Sequence, residues 1–146
     1  MEVCSIPKSA TSAVVIGYGN PIRQDDAMGW RAAELAGPDA IQEHQLTPEL
    51  VTHLKDASLV IFLDAAVDLR PGSIRLKALR PTEAGPCSHQ MLPEQLLSLA
   101  EQVNGKAPPA FLISGGVQEL GVSDQMTETA RKCAERMADL ARCLAG

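Results

Sequence analysis

The sequence predicts an α/β domain in which two layers of helices enclose a mixed β-sheet, a three-layer α/β/α sandwich. Residues 14–16 and 59–63 are apolar runs with the composition of strands that are buried on both faces. Segments in which apolar residues recur at helical spacing alternate with these runs, so the predicted order of elements is β-α-β-α-β-β-α-β-α. Because crossovers between parallel strands are right-handed, this order places helices on both faces of the sheet.

The length and charge of the chain limit its class. The 146 residues are sufficient for one domain that buries about two thirds of the surface of its unfolded chain. We therefore expect a single domain over residues 1–146, in which residues 1–11 are loosely ordered. A net charge of −5, without a cluster of Lys and Arg, argues against a nucleic-acid partner.

Signals for a membrane or for secretion are missing from the sequence. No apolar run approaches the roughly 20 residues of a membrane span, and residues 1–12 contain no signal-peptide core. The widely spaced cysteines indicate neither a zinc ribbon nor a disulfide framework, so we expect all four to be reduced. These features predict a cytoplasmic protein with no membrane partner.

The first strand, predicted at residues 13–17, is followed by a turn that carries two adjacent acids. From residue 17 the sequence reads Gly17-Tyr18-Gly19-Asn20-Pro21-Ile22-Arg23-Gln24-Asp25-Asp26. Gly17 and Gly19 let the backbone turn sharply, and the Asn-Pro pair after them is typical of turns. A helix is predicted from about Asp26 to Gly37.

Two roles are open to the acidic pair Asp25-Asp26. One acid is sufficient for an N-cap, which stabilises a helix by about 1 kcal/mol. The second acid is then available to a ligand or a reacting group, because open α/β sheets bind their ligands at the carboxyl ends of the strands. The turn alone does not decide which acid has which role.

The middle of the chain contains the second, third and fourth strands. Residues 40–45 are predicted as the second strand, and residues 48–55 as a short helix capped by Thr47. The third strand ends in Asp64, which no helix follows, so a capping role for this acid is disfavoured. About eight residues separate this strand from the next, at residues 73–79, fewer than a parallel crossover needs. The fourth strand must therefore run antiparallel, at an edge of the sheet.

The last third of the chain contains two helices and one strand. Residues 93–103 are predicted as a helix, and residues 110–113 as the last strand, followed by a glycine turn. Ser123 is predicted to cap the final helix. Apolar residues at helical spacing predict one continuous stripe of core contacts on this helix: Met126, Ala130, Cys133, Met137, Leu140 and Leu144.

Three side chains that bind metals or move protons are predicted to meet at the carboxyl end of the sheet. Asp26 follows the first strand, Asp64 ends the third, and residues 80–87 are long enough to return His89 to the same edge. Two carboxylates and an imidazole suit Zn²⁺, Ni²⁺, Mn²⁺ or Fe²⁺ in a site with open coordination positions. The residues themselves do not choose among these metals.

Other chemistries fit the sequence less well. Gly17 and Gly19 are similar to the start of a dinucleotide-binding fingerprint, but Ile22 occupies the position of the third glycine and Pro21 interrupts the turn. The chain has no Gly-x-Ser-x-Gly elbow and no His-Glu-x-x-His helix. The usual serine and zinc peptidase designs are therefore unsupported.

Three motifs occur along the chain in a characteristic order. They are the segment from Gly17 to Gly29, the segment Leu63-Asp64-Ala65, and Ser88-His89 before a Leu-rich helix. Together they resemble the maturation endopeptidases of nickel-iron hydrogenases, over a region from about residue 13 to the last helix. The resemblance implies a five-stranded sheet of order 2-1-3-5-4 with the fourth strand antiparallel. It also implies an endopeptidase that removes the C-terminal extension of a hydrogenase large-subunit precursor after nickel has been inserted.

The same resemblance implies roles for individual residues. It assigns recognition of the substrate's nickel, and catalysis, to Asp26, Asp64 and His89. It assigns the shaping of the turn beneath them to Gly17, Gly19 and Asn20. Nickel is then expected on the substrate, and the free protease is expected to hold no catalytic metal.

Two other functions remain open from the sequence. The three ligands would also suit a self-contained metallohydrolase with resident zinc. They would equally suit a noncatalytic chaperone module that checks nickel loading without cutting. The metal content of the purified protein separates the first alternative from the endopeptidase, and the mass of a candidate precursor separates the second.

Overall fold

A computed structural model of the protein describes residues 12–82 and 90–146. Its strands are β1 (Ala13–Tyr18), β2 (Ile41–Glu43), β3 (Leu59–Ala66), β4 (Ile74–Leu79) and β5 (Ala110–Gly116). Its α-helices are α1 (Met28–Ala36), α2 (Pro93–Asn104) and α3 (Glu128–Ala145), and 3₁₀ helices span Gln24–Ala27 and Pro48–Leu54. The predicted loose order of residues 1–11 concerns a segment outside the described residues.

The five strands form one mixed sheet of order β2-β1-β3-β5-β4. The pair of β4 and β5 is antiparallel, and the other three pairs are parallel. This topology confirms the predicted fold class, including the antiparallel edge strand that the short β3–β4 connection requires. In the central register Gly17 lies opposite Leu63, and Asp64 lies opposite Ser114. The parallel strands therefore end at a common edge of the sheet.

Helices cover both faces of the sheet because the side chains of the central strands alternate between two cores. Val60 and Phe62 of β3 belong to a core that α2 and the second 3₁₀ helix cover. Ile61 and Leu63 belong to a second core, under α1 and α3. All four side chains are fully buried, so β3 is the shared centre of the three layers.

The last helix begins four residues later than predicted. Its N-cap is Thr127, whose hydroxyl accepts a hydrogen bond from Ala130 N, whereas Ser123 was predicted to cap it. Ser123 is engaged elsewhere: its hydroxyl accepts from Gln125 N, and its backbone pairs with Ile22 and Gln24. The predicted apolar stripe of α3 packs in the second core as expected.

Other element boundaries also differ from the sequence prediction. A 3₁₀ turn over Gln24–Ala27 precedes α1, which begins at Met28 rather than Asp26. The helix predicted at residues 48–55 is a 3₁₀ helix, and the side chain of Thr47 makes no capping bond. The strand β5 continues through the expected glycine turn to Gly116, because these residues still pair with β3 and β4.

The state of the cysteines departs from the prediction at one position. Cys133 is a free, buried thiol in the core under α3. Cys143, near the end of the same helix, is disulfide-bonded, so the expectation of four reduced cysteines was wrong. Spacing along a sequence does not reveal which distant segments a fold brings together, and this is why the prediction failed.

Gly29 lets α1 lie directly against the end of β3. A Cβ atom on Gly29 would meet the carbonyl oxygen of Leu63 and would lie 2.6 Å from Cα of Asp64. A Cβ atom on Gly17 of β1 would in turn meet the carbonyl of Gly29. The two glycines therefore set the distance between β1, α1 and the segment of β3 that carries Asp64.

We expect Gly29→Ala to lower the free energy of unfolding by about 2–3 kcal/mol, because the new methyl group meets backbone atoms that have no rotamer to change. Urea unfolding followed by circular dichroism measures this. In an open helical site the same change stabilises a protein by about 1 kcal/mol. A variant more stable than the wild type would therefore contradict the close packing.

Candidate active site

A cavity of about 120 Å³ lies at the carboxyl edge of the sheet, where the resemblance places the site. Both Asp26 and Asp64 line it. Its other lining residues come from the ends of β1, β2 and β3 and from the segment before α2: Tyr18, Gly19, His44, Gln45, Leu46, Ala65, Gln90 and Met91. His89, the third predicted ligand, lies outside the described residues, and the next residue, Gln90, lines the cavity.

The neighbouring acid Asp25 points away from this cavity and into the protein. Its side chain is completely buried. It accepts four hydrogen bonds, from the backbone N–H groups of Gln118 (2.9 Å), Glu119 (3.0 Å) and Thr127 (2.8 Å) and from the hydroxyl of Thr127 (2.8 Å). Burial by itself raises the pKa of the Asp25 carboxyl, but these hydrogen bonds outweigh it and lower the pKa. Asp25 is thus a structural carboxylate, and the two acids of the pair have separate environments.

Asp25 joins two loops that are distant in sequence, residues 20–26 and residues 117–127, which we call the paired loops. Backbone bonds reinforce the junction, since Gln24 N donates to Ser123 O and Ser123 N donates to Ile22 O, both at 2.9 Å. The side chain of Gln24, a residue with a φ of 48°, accepts from Gly121 N. A non-glycine residue adopts this left-handed conformation only where surrounding contacts stabilise it. For Gln24 these contacts are its hydrogen bonds to the other paired loop.

Asp26 is held at the cavity by the turn that precedes it. Its Oδ2 accepts a hydrogen bond of 2.9 Å from Asn20 N, and the side chain of Asn20 accepts one from Ile22 N. Gly19 has a φ of 155°, and a Cβ atom there would meet the carbonyl oxygen of Asp26. The turn-shaping roles predicted for Gly19 and Asn20 stay predictions, and these contacts are the geometry on which they rest.

Among the described residues, one carboxylate oxygen of Asp64 has no hydrogen-bond partner. The hydroxyl of Tyr18 donates to Oδ2 at 3.0 Å, whereas Oδ1 is buried and accepts no hydrogen bond from residues 12–82 or 90–146. Burial raises the pKa of Asp64 to about 6, against the opposing effects of the hydroxyls of Ser114 and Tyr18. A buried, unpaired acceptor costs folding free energy, and a bound cation would compensate that cost. This donor set fits a divalent metal on chemical grounds.

Tyr18 and His44 line the site, although the sequence did not identify them. Tyr18 is the last residue of β1, and burial together with the charge of Asp64 raises its pKa well above the usual value. His44 directly follows the short strand β2. The last residue of that strand, Glu43, accepts a backbone hydrogen bond from Gly19 N, which joins β2 to the turn after β1. The alternation of β1 could have placed Tyr18, but no local signal located His44.

The described residues supply two of the three predicted ligands. Within residues 12–82 and 90–146, no three His, Cys, Asp or Glu side chains lie close enough together to hold a metal ion. His44 shares the cavity but does not complete such a group with Asp26 and Asp64. The assignment of His89 to the site therefore remains a prediction.

Comparison with known proteins relates this fold to one family. The sequence matches no protein-family model and no curated protein. Among solved structures, it is similar to a NiFe hydrogenase maturation protease, HycI, from Thermococcus kodakarensis, with 25% identity over 93% of this chain and 94% of that one and a TM-score of 0.72. This likeness supports assignment of the chain to the hydrogenase maturation endopeptidases. It is consistent with a peptidase.

Two more distant maturation peptidases have the same fold. The hydrogenase-maturing endopeptidase HybD from Escherichia coli has 20% identity, covers 88% of each chain and has a TM-score of 0.67. The hydrogenase 2 maturation peptidase from a Thaumarchaeota archaeon has 24% identity, covers 88% of this chain and 93% of its own, and has a TM-score of 0.63. Among the described helices of the present protein, none is both long and apolar enough to cross a membrane.

Proposed function

We propose that this endopeptidase removes the C-terminal extension of a nickel-iron hydrogenase large-subunit precursor in the cytoplasm after nickel insertion. The likeness to the HycI structure supports a maturation peptidase. One observation carries the finer proposal: two carboxylates, Asp26 and Asp64, line one cavity, and Asp64 has a buried oxygen that no described residue hydrogen-bonds. Such a site attracts a divalent cation, and in this reaction the cation arrives with the substrate.

In the proposed mechanism the precursor's nickel is the anchor that positions the scissile peptide. Asp26, Asp64 and His89 bind this nickel, which brings the adjacent peptide bond to the mouth of the cavity. A divalent ion held there polarises the peptide carbonyl or activates a water molecule. A precursor without nickel lacks the anchor, so the protease distinguishes the two precursors by the metal.

Cleavage assays with and without nickel test this proposal. Precursor protein is incubated with the wild-type protease, with Asp26→Asn and with His89→Ala, and the C-terminus is measured by mass spectrometry. We expect cleavage only of nickel-loaded precursor, and only by the wild type. Normal cleavage by both variants would remove these residues from the mechanism.

Metal analysis addresses the resident-metal alternative. The protease purified without added metal is expected to contain no stoichiometric catalytic metal, because its proposed metal belongs to the substrate. One equivalent of zinc, lost together with activity on chelation, would instead assign the same ligands to a self-contained metallohydrolase.

We expect Tyr18→Phe to weaken nickel binding about 10–100-fold, as is typical when a hydrogen bond to a metal-binding carboxylate is removed. The hydroxyl of Tyr18 fixes Oδ2 of Asp64, which leaves Oδ1 as the oxygen presented to the ion. Isothermal titration of the free protease with Ni²⁺ and cleavage of loaded precursor provide two independent measurements. Affinity equal to that of the wild type, in a variant with an unchanged melting temperature, would contradict this positioning role.

A further inference from the structure

Two large apolar side chains on the paired loops are exposed to solvent. Ile22 is 60% exposed and Val122 is 94% exposed. The bond from Ser123 N to Ile22 O and the parallel bridge between Arg23 and Ser123 place these two residues side by side. The described residues leave most of each side chain exposed, although the backbone of both residues is held by hydrogen bonds.

A groove of about 260 Å³ lies next to this pair, between the start of α1 and the start of α3. Its lining is apolar at Pro21, Ala27, Trp30 and Met126 and polar at Arg31, Asp124, Gln125 and Arg131. We call the groove together with Ile22 and Val122 the docking patch. Asp26 lines the active-site cavity and the next residue, Ala27, lines the groove, so the two depressions lie on opposite sides of one turn.

The charges in the docking patch are largely balanced within the protein. Arg31 forms an ion pair with Glu34 of α1, and Arg131 forms one with Glu128 of α3. Asp124, which also lines the groove, adds a negative charge. Pairs one helical turn apart in this way leave little net positive charge to recruit an acidic partner. The chemistry of the patch therefore favours apolar side chains as its ligands.

The backbone of the docking patch is organised before any partner arrives. The four hydrogen bonds of Asp25 hold both paired loops in place. Binding to a fixed surface loses little conformational entropy, which makes exposed apolar side chains on such a surface efficient contacts. Any protein that delivers a metal to Asp26 must also approach this turn.

We propose that the docking patch binds an apolar segment of the folded large-subunit precursor while its nickel enters the adjacent cavity. This inference rests on the proposed function and deepens it. The metal then supplies the check for nickel loading, and the patch supplies affinity for the precursor whatever its metal content. The predicted consequence is a split in the kinetics, since the patch acts on KM and the cavity acts on kcat.

Serine substitutions at the two exposed residues test the docking patch. With nickel-loaded precursor, we expect Val122→Ser and Ile22→Ser each to raise KM about tenfold, and kcat to stay that of the wild type, because each change removes one apolar contact. The control is Val103→Ser. Val103 is 60% exposed, as Ile22 is, but it lies in the last turn of α2, which packs on the other face of the sheet. This control is expected to leave KM unchanged.

The outcomes separate the two proposals. If the wild type cleaves loaded precursor and both serine variants keep its KM, the docking patch is rejected and the proposed function stands. If the wild type does not cleave loaded precursor, the proposed function itself is rejected. Sedimentation of the protease alone covers another occupant: a dimer that Val122→Ser dissociates would assign the patch to a second copy of this chain and overturn the inference.

Discussion

Asp25→Asn is expected to lower the free energy of unfolding by at least about 3 kcal/mol, as is usual when a buried, multiply bonded charge is lost. The amide that replaces the carboxylate has one acceptor oxygen where the native group accepts four hydrogen bonds. It also turns an N–H₂ group toward backbone N–H donors. Urea unfolding at pH 7 measures the change, and Asp39→Asn, at an exposed acid in the loop before β2, is the control.

The pH dependence of this effect follows from the lowered pKa of Asp25. A carboxyl whose pKa is lower in the folded state contributes stability that is fully present above its unfolded value, near 3.9. That contribution is lost as the pH falls through the folded pKa. The stability difference between wild type and Asp25→Asn should therefore be constant at neutral pH and shrink only below about pH 4. A difference that disappears between pH 8 and pH 6 would contradict the assigned role.

Asp64→Asn is expected to have opposite effects on stability and on activity. Since burial raises the pKa of Asp64 to about 6, ionisation of this group destabilises the fold at neutral pH. Removing the charge should then raise the free energy of unfolding at pH 8 by up to about 3 kcal/mol. Cleavage of loaded precursor should fall at least about 100-fold, because the proposed function makes Asp64 a ligand of the substrate's nickel.

The size of this stability effect depends on pH in a predictable way. A raised pKa means that the folded protein binds the proton more tightly, so the penalty applies above about pH 6. It is relieved as the pH falls from about 6 toward the unfolded value near 3.9. Denaturant titrations of both proteins at pH 8, 6 and 4 should converge as the pH falls. A variant less stable than the wild type at pH 8 would show that Asp64 is a stabilising acid and not a group held ready for a ligand.

The strands and the antiparallel edge of the sheet could be predicted because they depend on features of short segments of the sequence. The apolar composition of β3 identified a strand buried on both faces, and the short connection to β4 required an antiparallel edge. Both arguments use only neighbouring residues and chain geometry. The same local reading placed Asp64 near the carboxyl end of its strand and at the cavity, although β3 continues to Ala66 rather than ending at Asp64.

Features that depend on long-range contacts could not be predicted in this way. The turn left Asp25 and Asp26 equivalent, because the groups that distinguish them lie on a loop more than 90 residues away. The cap of α3 was misplaced for the same reason, since pairing with the first loop occupies Ser123. His44 was missed because only the pairing of β2 with β1 brings it to the cavity.

The opposite directions of two adjacent carboxylates have a consequence for genetic analysis of this protein. Asp25 faces inward and binds the neighbouring loop, and Asp26 faces the cavity. Marginally stable proteins lose cellular abundance when a mutation costs 1–2 kcal/mol or more, because quality control removes them. In a cellular screen, substitutions at position 25 should deplete the protein itself, whereas those at position 26 should leave its amount unchanged and let unprocessed hydrogenase precursor accumulate.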